Sequence, residues 1–275
     1  MKTKAFSLIV LLLTAAATAL RTVCLLTQYE SQIGYFQESA FTIVYRALLF
    51  AGVFACLLSG VLLSKARQAN QTPTACQCGK AWAPLYTLAA ACCFFSGIYF
   101  LTSRASNSIV LYIATGIFSI GLAMFFLINC SSDKTKSAAT SITLSPWLCL
   151  AGIPALLLML VSSYFDMTVT LNGPFAAPSI FAALFGCLFL LAEARMRAMN
   201  VSPRFHLAFT HTTFFLCTSV GVSNLIFSLF GDPANGISLS EPARPLLLLA
   251  ITFATSARLF FPSAPPSARS NAEKF

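Results

Sequence analysis

The chain has 275 residues, 57% of them hydrophobic and only 9% charged, with a net charge of +9. A soluble domain carries roughly 25% charged residues, so this balance, with a mean hydropathy of +0.80, excludes a water-soluble globular fold and a disordered chain. Ten cysteines in this length are too sparse for a disulfide scaffold. What remains is an all-α, polytopic transmembrane helix bundle.

A helix crosses the hydrocarbon core in about 20 apolar residues, and strands of a barrel would alternate with period two, which these runs do not. Eight runs qualify. The first, 5–26, contains Arg21. Lys2, Lys4 and the small residues Ala17-Thr18-Ala19 also allow a cleaved signal peptide, which would leave seven spans. Continuation through Val23 to Leu26 favours an uncleaved anchor. The second and third runs are 41–63 and 82–101, the fourth 109–130, the fifth 146–165 and the sixth 175–191. The seventh is 205–230, and the shortest, 246–261, closes the bundle. Residues 1–261 thus form one helical domain, and 262–275, rich in Pro, Ser and Ala, read as a disordered cytoplasmic tail.

Short cytoplasmic loops carry an excess of Lys and Arg. With both ends inside, 13 of the 17 basic residues fall on inner segments: Lys2 and Lys4; Lys65, Arg67 and Lys80; Lys134 and Lys136; Arg195, Arg197 and Arg204; Arg258, Arg269 and Lys274. Arg21, Arg104 and Arg244 fall outside, and Arg46 lies inside the second span. Trp82 and Trp147 stand at inner helix ends, where indole rings favour the headgroup layer. The sequons at Asn70, Asn129 and Asn200 also fall inside, away from glycosylation. Basic residues spread over five segments argue against nucleic acid as a partner. The expected partners are the lipid bilayer and a membrane protein or a second copy of the chain.

No loop exceeds about 20 residues by this count, so no soluble catalytic domain fits. The loop 27–40, with Tyr29, Ile33, Tyr35 and Phe36, suits a segment in the outer interface or an ordinary aromatic belt. The echo of Leu62-Leu63-Ser64-Lys65-Ala66-Arg67 in Leu190-Leu191-Ala192-Glu193-Ala194-Arg195 raises two parallel four-helix halves.

The seventh span carries the most informative pattern. His206, Thr210, Thr213, Cys217, Gly221 and Asn224 occupy an arc of roughly 80°. Lipid would strand their hydrogen-bonding groups, so the stripe faces helices or water. It is either the wall of a pathway or pocket, with an imidazole that ordinarily titrates near pH 6.5, or a seam of interhelical hydrogen bonds closed up at Gly221. His211 lies on another face with no evident partner. Arg46, less than two turns from the outer end, is a candidate site residue with Glu38 or Glu30 as partner, or it snorkels. Arg258 reads as snorkelling at the inner end of the last span. Rows Gly52-Cys56-Gly60 and Ala51-Ala55-Ser59 make the second span the expected centre of the bundle, and Thr115, Ser119 and Ala123 form a similar row in the fourth.

Cys76 and Cys78 with Cys130 fall short of a four-ligand metal set. Phosphate-loop, dinucleotide, zinc-protease and nucleophile-elbow motifs are missing from the chain. No catalytic residue, metal or cofactor is therefore assigned. The stretches Tyr164-Phe165-Asp166-Met167-Thr168-Val169, Leu171-Asn172-Gly173-Pro174 and Glu193-Ala194-Arg195, with Ile33-Gly34-Tyr35-Phe36, resemble a family of uncharacterised multi-pass membrane proteins of clostridial-type bacteria. That resemblance implies a bacterial inner membrane and draws notice to Asp166 and Glu193, otherwise a helix cap and a juxtamembrane charge.

A small-molecule permease, or a membrane component of a transport system, is the leading expectation. It rests on the polar stripe, on Arg46, and on Pro84 and Pro154 as interruptions of the third and fifth helices. The alternatives are a non-enzymatic sensor or scaffold acting through helix association, and an intramembrane lipid-modifying enzyme. A polar cavity reaching the seventh span would favour the permease, and a bundle packed solid with phenylalanine would count against it.

Overall fold

A backbone in lipid must close its own hydrogen bonds, and in a computed structural model the chain does so as helix after helix. The structure describes residues 2–30, 35–68, 82–102, 109–130, 138–165, 176–198, 203–230 and 242–260. In chain order they form α1 (Lys2–Thr27), a small hairpin of β1 (Tyr29–Glu30) and β2 (Tyr35–Phe36), α2 (Ala40–Gln68), α3 (Ala83–Thr102) and α4 (Ile109–Cys130). α5 (Ala138–Phe165), α6 (Ala176–Ala198), α7 (Pro203–Phe230) and α8 (Ala243–Phe260) follow. Seven of these helices are long and apolar enough to cross a membrane; α5 carries a shorter apolar stretch, Trp147–Ser162. The protein is an all-α polytopic bundle.

Several helices outrun their apolar stretches. α2 continues to Gln68 and α5 starts at Ala138, because good helix formers such as Lys, Arg, Gln and Ala prolong the backbone pattern into the polar layer. Prolines do not interrupt it. Pro84 is the second residue of α3, where the missing amide costs nothing, and α5 runs unbroken through Pro154. Neither proline opens a gap of the kind expected of a permease.

α3 packs on α4, α4 on α5, α5 on α6, α6 on α7, α7 on α8, and α8 returns to α3, closing a ring of six helices. α1 and α2 pair with each other and lean on α7 from outside the ring. This two-plus-six arrangement is not a pair of four-helix halves. Phe100, Phe125, Phe126 and Phe189 are fully buried in the ring, with Phe125 and Phe126 5.3 Å apart between centroids. α3 and α4 approach until backbone meets backbone: a Cβ on Gly97 would stand 3.0 Å from the Gly116 carbonyl oxygen. The row Thr115, Ser119 and Ala123 is buried on the same helix.

α2 is not the centre of the bundle. Only 22% of its span is buried, against 67% for α8, the segment with the weakest apolar signal. Its small residues serve one contact. Gly52, Cys56, Ser59 and Gly60 are buried, while Ala51 is exposed. A Cβ on Gly52 would collide with the Phe215 ring of α7.

At the end read as outer from the charge pattern, β1 pairs antiparallel with β2, with Tyr29 opposite Phe36. Phe36 is buried with Cys24, Leu25 and Tyr45, and the Tyr29 ring meets Phe227 edge-on at 6.0 Å. Burial there raises the Tyr29 phenol above its ordinary value. Ser39 caps α2: its hydroxyl accepts from the Thr42 amide at 3.2 Å.

Candidate functional site

The stripe on α7 faces into the bundle along its whole length. His206, Thr210, Thr213, Cys217, Gly221 and Asn224 are all buried. Four of them reach α6. His206 Nε2 lies 3.0 Å from Glu193 Oε2. The Thr213 hydroxyl donates to the Phe185 carbonyl at 2.8 Å, and Cys217 Sγ donates to the Ala182 carbonyl at 3.4 Å. Asn224 Nδ2 donates to Ser179 Oγ at 3.3 Å. Thr210 turns back to the His206 carbonyl within its own helix. Gly221 faces α8, where a Cβ would sit 3.3 Å from that of Leu248. The spacing that set these side chains on one arc thus stitches α6 to α7 by hydrogen bonds.

Each end of this seam holds a buried arginine. At the inner end, Glu193 of α6 is 2% exposed. Its Oε1 accepts from Arg258 Nη2 of α8 while its Oε2 faces His206 of α7. The Arg258 guanidinium lies 4.6 Å from the centroid of the Trp82 ring, which stacks on Tyr86 of α3. One carboxylate therefore gathers α6, α7 and α8, and the cation above Trp82 adds the edge of α3. Arg258 does not snorkel; it is 8% exposed. Trp82, 2% exposed, is no headgroup anchor either, whereas Trp147 is 71% exposed as such an anchor would be. Glu193, read from sequence as a juxtamembrane charge, is buried between helices.

Arg21 of α1 occupies the outer end, fully buried. Its Nη1 donates to the Tyr45 hydroxyl of α2 at 2.8 Å and its Nη2 to Asn224 Oδ1 of α7 at 3.0 Å. Asn224 passes the link on to Ser179. Next to it the Thr22 hydroxyl meets Ser223 Oγ at 3.1 Å. Arg21 is thus an internal residue, not an outer flanking charge. Arg46, read from sequence as the charge inside the span, is exposed on α2, as is Glu38. The Glu30 side chain, Asp166, Cys76, Cys78 and the tail lie outside the described residues.

Sequence reasoning left His211 without a partner. Its Nδ1 faces the Leu207 carbonyl at 2.9 Å and Ser59 Oγ at 3.1 Å. A carbonyl only accepts, so Nδ1 carries the hydrogen. The Phe6 ring of α1 meets the imidazole edge-on at 5.3 Å. The signal for this contact was Ser59, assigned to a packing row.

Between α1 and α7 lies a groove of about 580 Å³ bordered by Leu11, Thr18, Thr22, Phe214, Thr218 and Ile226. Thr18 and Thr22 spend their hydroxyls on carbonyls four residues back, so the lining is apolar and includes no member of the stripe. No three His, Cys, Asp or Glu side chains converge as metal ligands among the described residues. Comparison with protein-family models, curated proteins and solved structures finds no match to the chain.

Proposed function

We propose that this integral membrane protein is a non-enzymatic sensor or assembly component that works through helix association. The observation that carries this reading is the use made of the α7 stripe: its polar groups bond to α6, and phenylalanine fills the ring beside it. A conduit needs its polar groups turned toward water, whereas a protein that acts through its helices needs them turned toward one another. α2, the least buried span, leaves Phe50 and Phe54 largely exposed to the bilayer or to a partner.

Purification of the full chain in a mild detergent tests this. The expected result is a stoichiometric complex with a second membrane polypeptide or a second copy, lost in the F50A/F54A variant while the thermal unfolding of the chain itself is unchanged. A monodisperse monomer that carries solute across proteoliposomes would overturn it and restore the permease reading, for which the continuous line of polar groups from His206 to Asn224, about 27 Å along α7, would then be the path.

A further inference from the structure

A carboxylate shared by an arginine and a histidine, buried where three helices converge, is a costly arrangement for a purely structural joint. Two buried charges must be taken out of water, and a packed apolar junction would hold α6, α7 and α8 without that cost. From this geometry we infer that Glu193, His206 and Arg258 form a proton-binding site, with His206 as the acceptor and the proton as the signal to which the bundle responds. This rests on the sensor reading above and names its stimulus.

The chemistry follows from the hydrogen-bond inventory. An ionised carboxylate only accepts, so His206 donates to Glu193 from Nε2, and the exchangeable second proton is the one on Nδ1. With His206 neutral, Arg258 and Glu193 cancel. With the proton bound, two cations share one carboxylate at 2% exposure, and their repulsion is weakly screened. The imidazolium tightens on Oε2 and competes with Arg258 for the carboxylate charge. The response is expected at the contact of Arg258 with the Trp82 ring, which joins this junction to α3.

On α6, Phe189 packs 6.0 Å from the His206 ring, and Arg195 is exposed at the helix end. α8 contributes Arg258 and α3 contributes Tyr86 under Trp82. Cys149 of α5 donates to the Leu190 carbonyl, three residues from Glu193. Toward α1 and α2, the groups at this end of α7 include His211, Ser59 and Phe6. Imidazole is the side-chain type in this set that ordinarily changes charge between pH 5 and 8.

The chain has two tryptophans: Trp82 is buried at the cluster and Trp147 is exposed. The W147F protein in lipid nanodiscs therefore reports Trp82 alone. Its emission, titrated from pH 8 to pH 5, is expected to follow a single-proton curve that disappears in W147F/H206Q, where the amide keeps a donor toward Glu193 but binds no proton. A flat trace in W147F, or a curve that persists in W147F/H206Q, overturns the proposal. Should H206Q fail to fold, imidazole NMR of the chain with labelled histidine decides it. Titration of the His206 signal, assigned by its persistence in H211Q, supports the site, and a His206 signal that does not move over this range overturns it. None of these readings requires a partner, so a proton site present in a chain that proves to conduct solute would separate the failure of the sensor reading from that of the site.

Discussion

The two ends of α7 solve the same problem with different chemistry. Both bury an arginine among helices. At the inner end Arg258 is met by a carboxylate that also takes a histidine. At the outer end Arg21 donates to a phenol and a carboxamide, and the carboxamide hands the link to a serine on a fourth helix. The inner junction includes an imidazole, which ordinarily changes charge near neutral pH. The outer groups described give one cation two neutral acceptors, Tyr45 and Asn224, and act as a clamp. The difference teaches that a buried charge in this bundle can be either a joint or a switch, according to whether a titratable group shares its counter-charge.

The largest effect is expected from breaking the inner junction. Glu193→Ala strands Arg258 and His206 in the interior, and loss of one member of a buried pair costs about 3–5 kcal/mol, read as a lower unfolding midpoint in mild detergent. At the outer end Arg21→Met removes, among the described groups, the bonds to the Tyr45 hydroxyl and the Asn224 carboxamide. Hydrogen bonds between helices in membranes are worth roughly 0.6 to 1.7 kcal/mol each, so the expected loss is about 1–3 kcal/mol by the same measurement. Arg46→Ala, the arginine that looked intramembrane from sequence, is expected to stay within about 0.5 kcal/mol of the parent. Equal losses at Arg21 and Arg46 would erase the distinction between clamp and surface charge.

Between these ends, Gly52→Ala drives a methyl into the fully buried Phe215 ring. Overpacking of this kind costs about 1–3 kcal/mol and should loosen α2 from α7, seen as faster hydrogen exchange confined to α1 and α2. The smallest effect is expected beside the clamp. Burial raises the Tyr29 phenol in the fold, so the fold favours its protonated form. That contribution is complete below the ordinary tyrosine range and is lost as pH climbs through the folded value. Tyr29→Phe should flatten the alkaline loss of stability above pH ~10, and an unchanged slope would remove Tyr29 from the outer end's accounting.

Hydropathy and charge were enough to read eight helices and the ends of most of them, and the 100° rule set the α7 stripe on one face. Which arginines turn inward was not legible. In water, the apolar face of a helix marks its inside. Here lipid and core are both apolar, so hydropathy does not mark the buried faces of α1 and α2, and Arg21 and Arg46 look alike. Position along the helix favoured Arg46; only the pairing of α1 with Tyr45 and Asn224 tells them apart. Arg258 and Trp82 were misplaced for the same reason: both are amphipathic residues near helix ends, and the anchor role suits any such residue until a partner from a distant helix is known. Glu193 and His206 are 13 residues apart in sequence, and only the antiparallel pairing of α6 with α7 makes them neighbours.

The most direct measurement is a double-mutant cycle on the inner junction, with Glu193→Leu, Arg258→Leu and the pair together followed by thermal unfolding in the same detergent. Each single change should lower stability by several kcal/mol, and the double variant should recover most of the loss, since a leucine pair can replace a buried ion pair at little net cost. Losses that simply add would mean that α6 and α8 do not meet through Glu193 and Arg258.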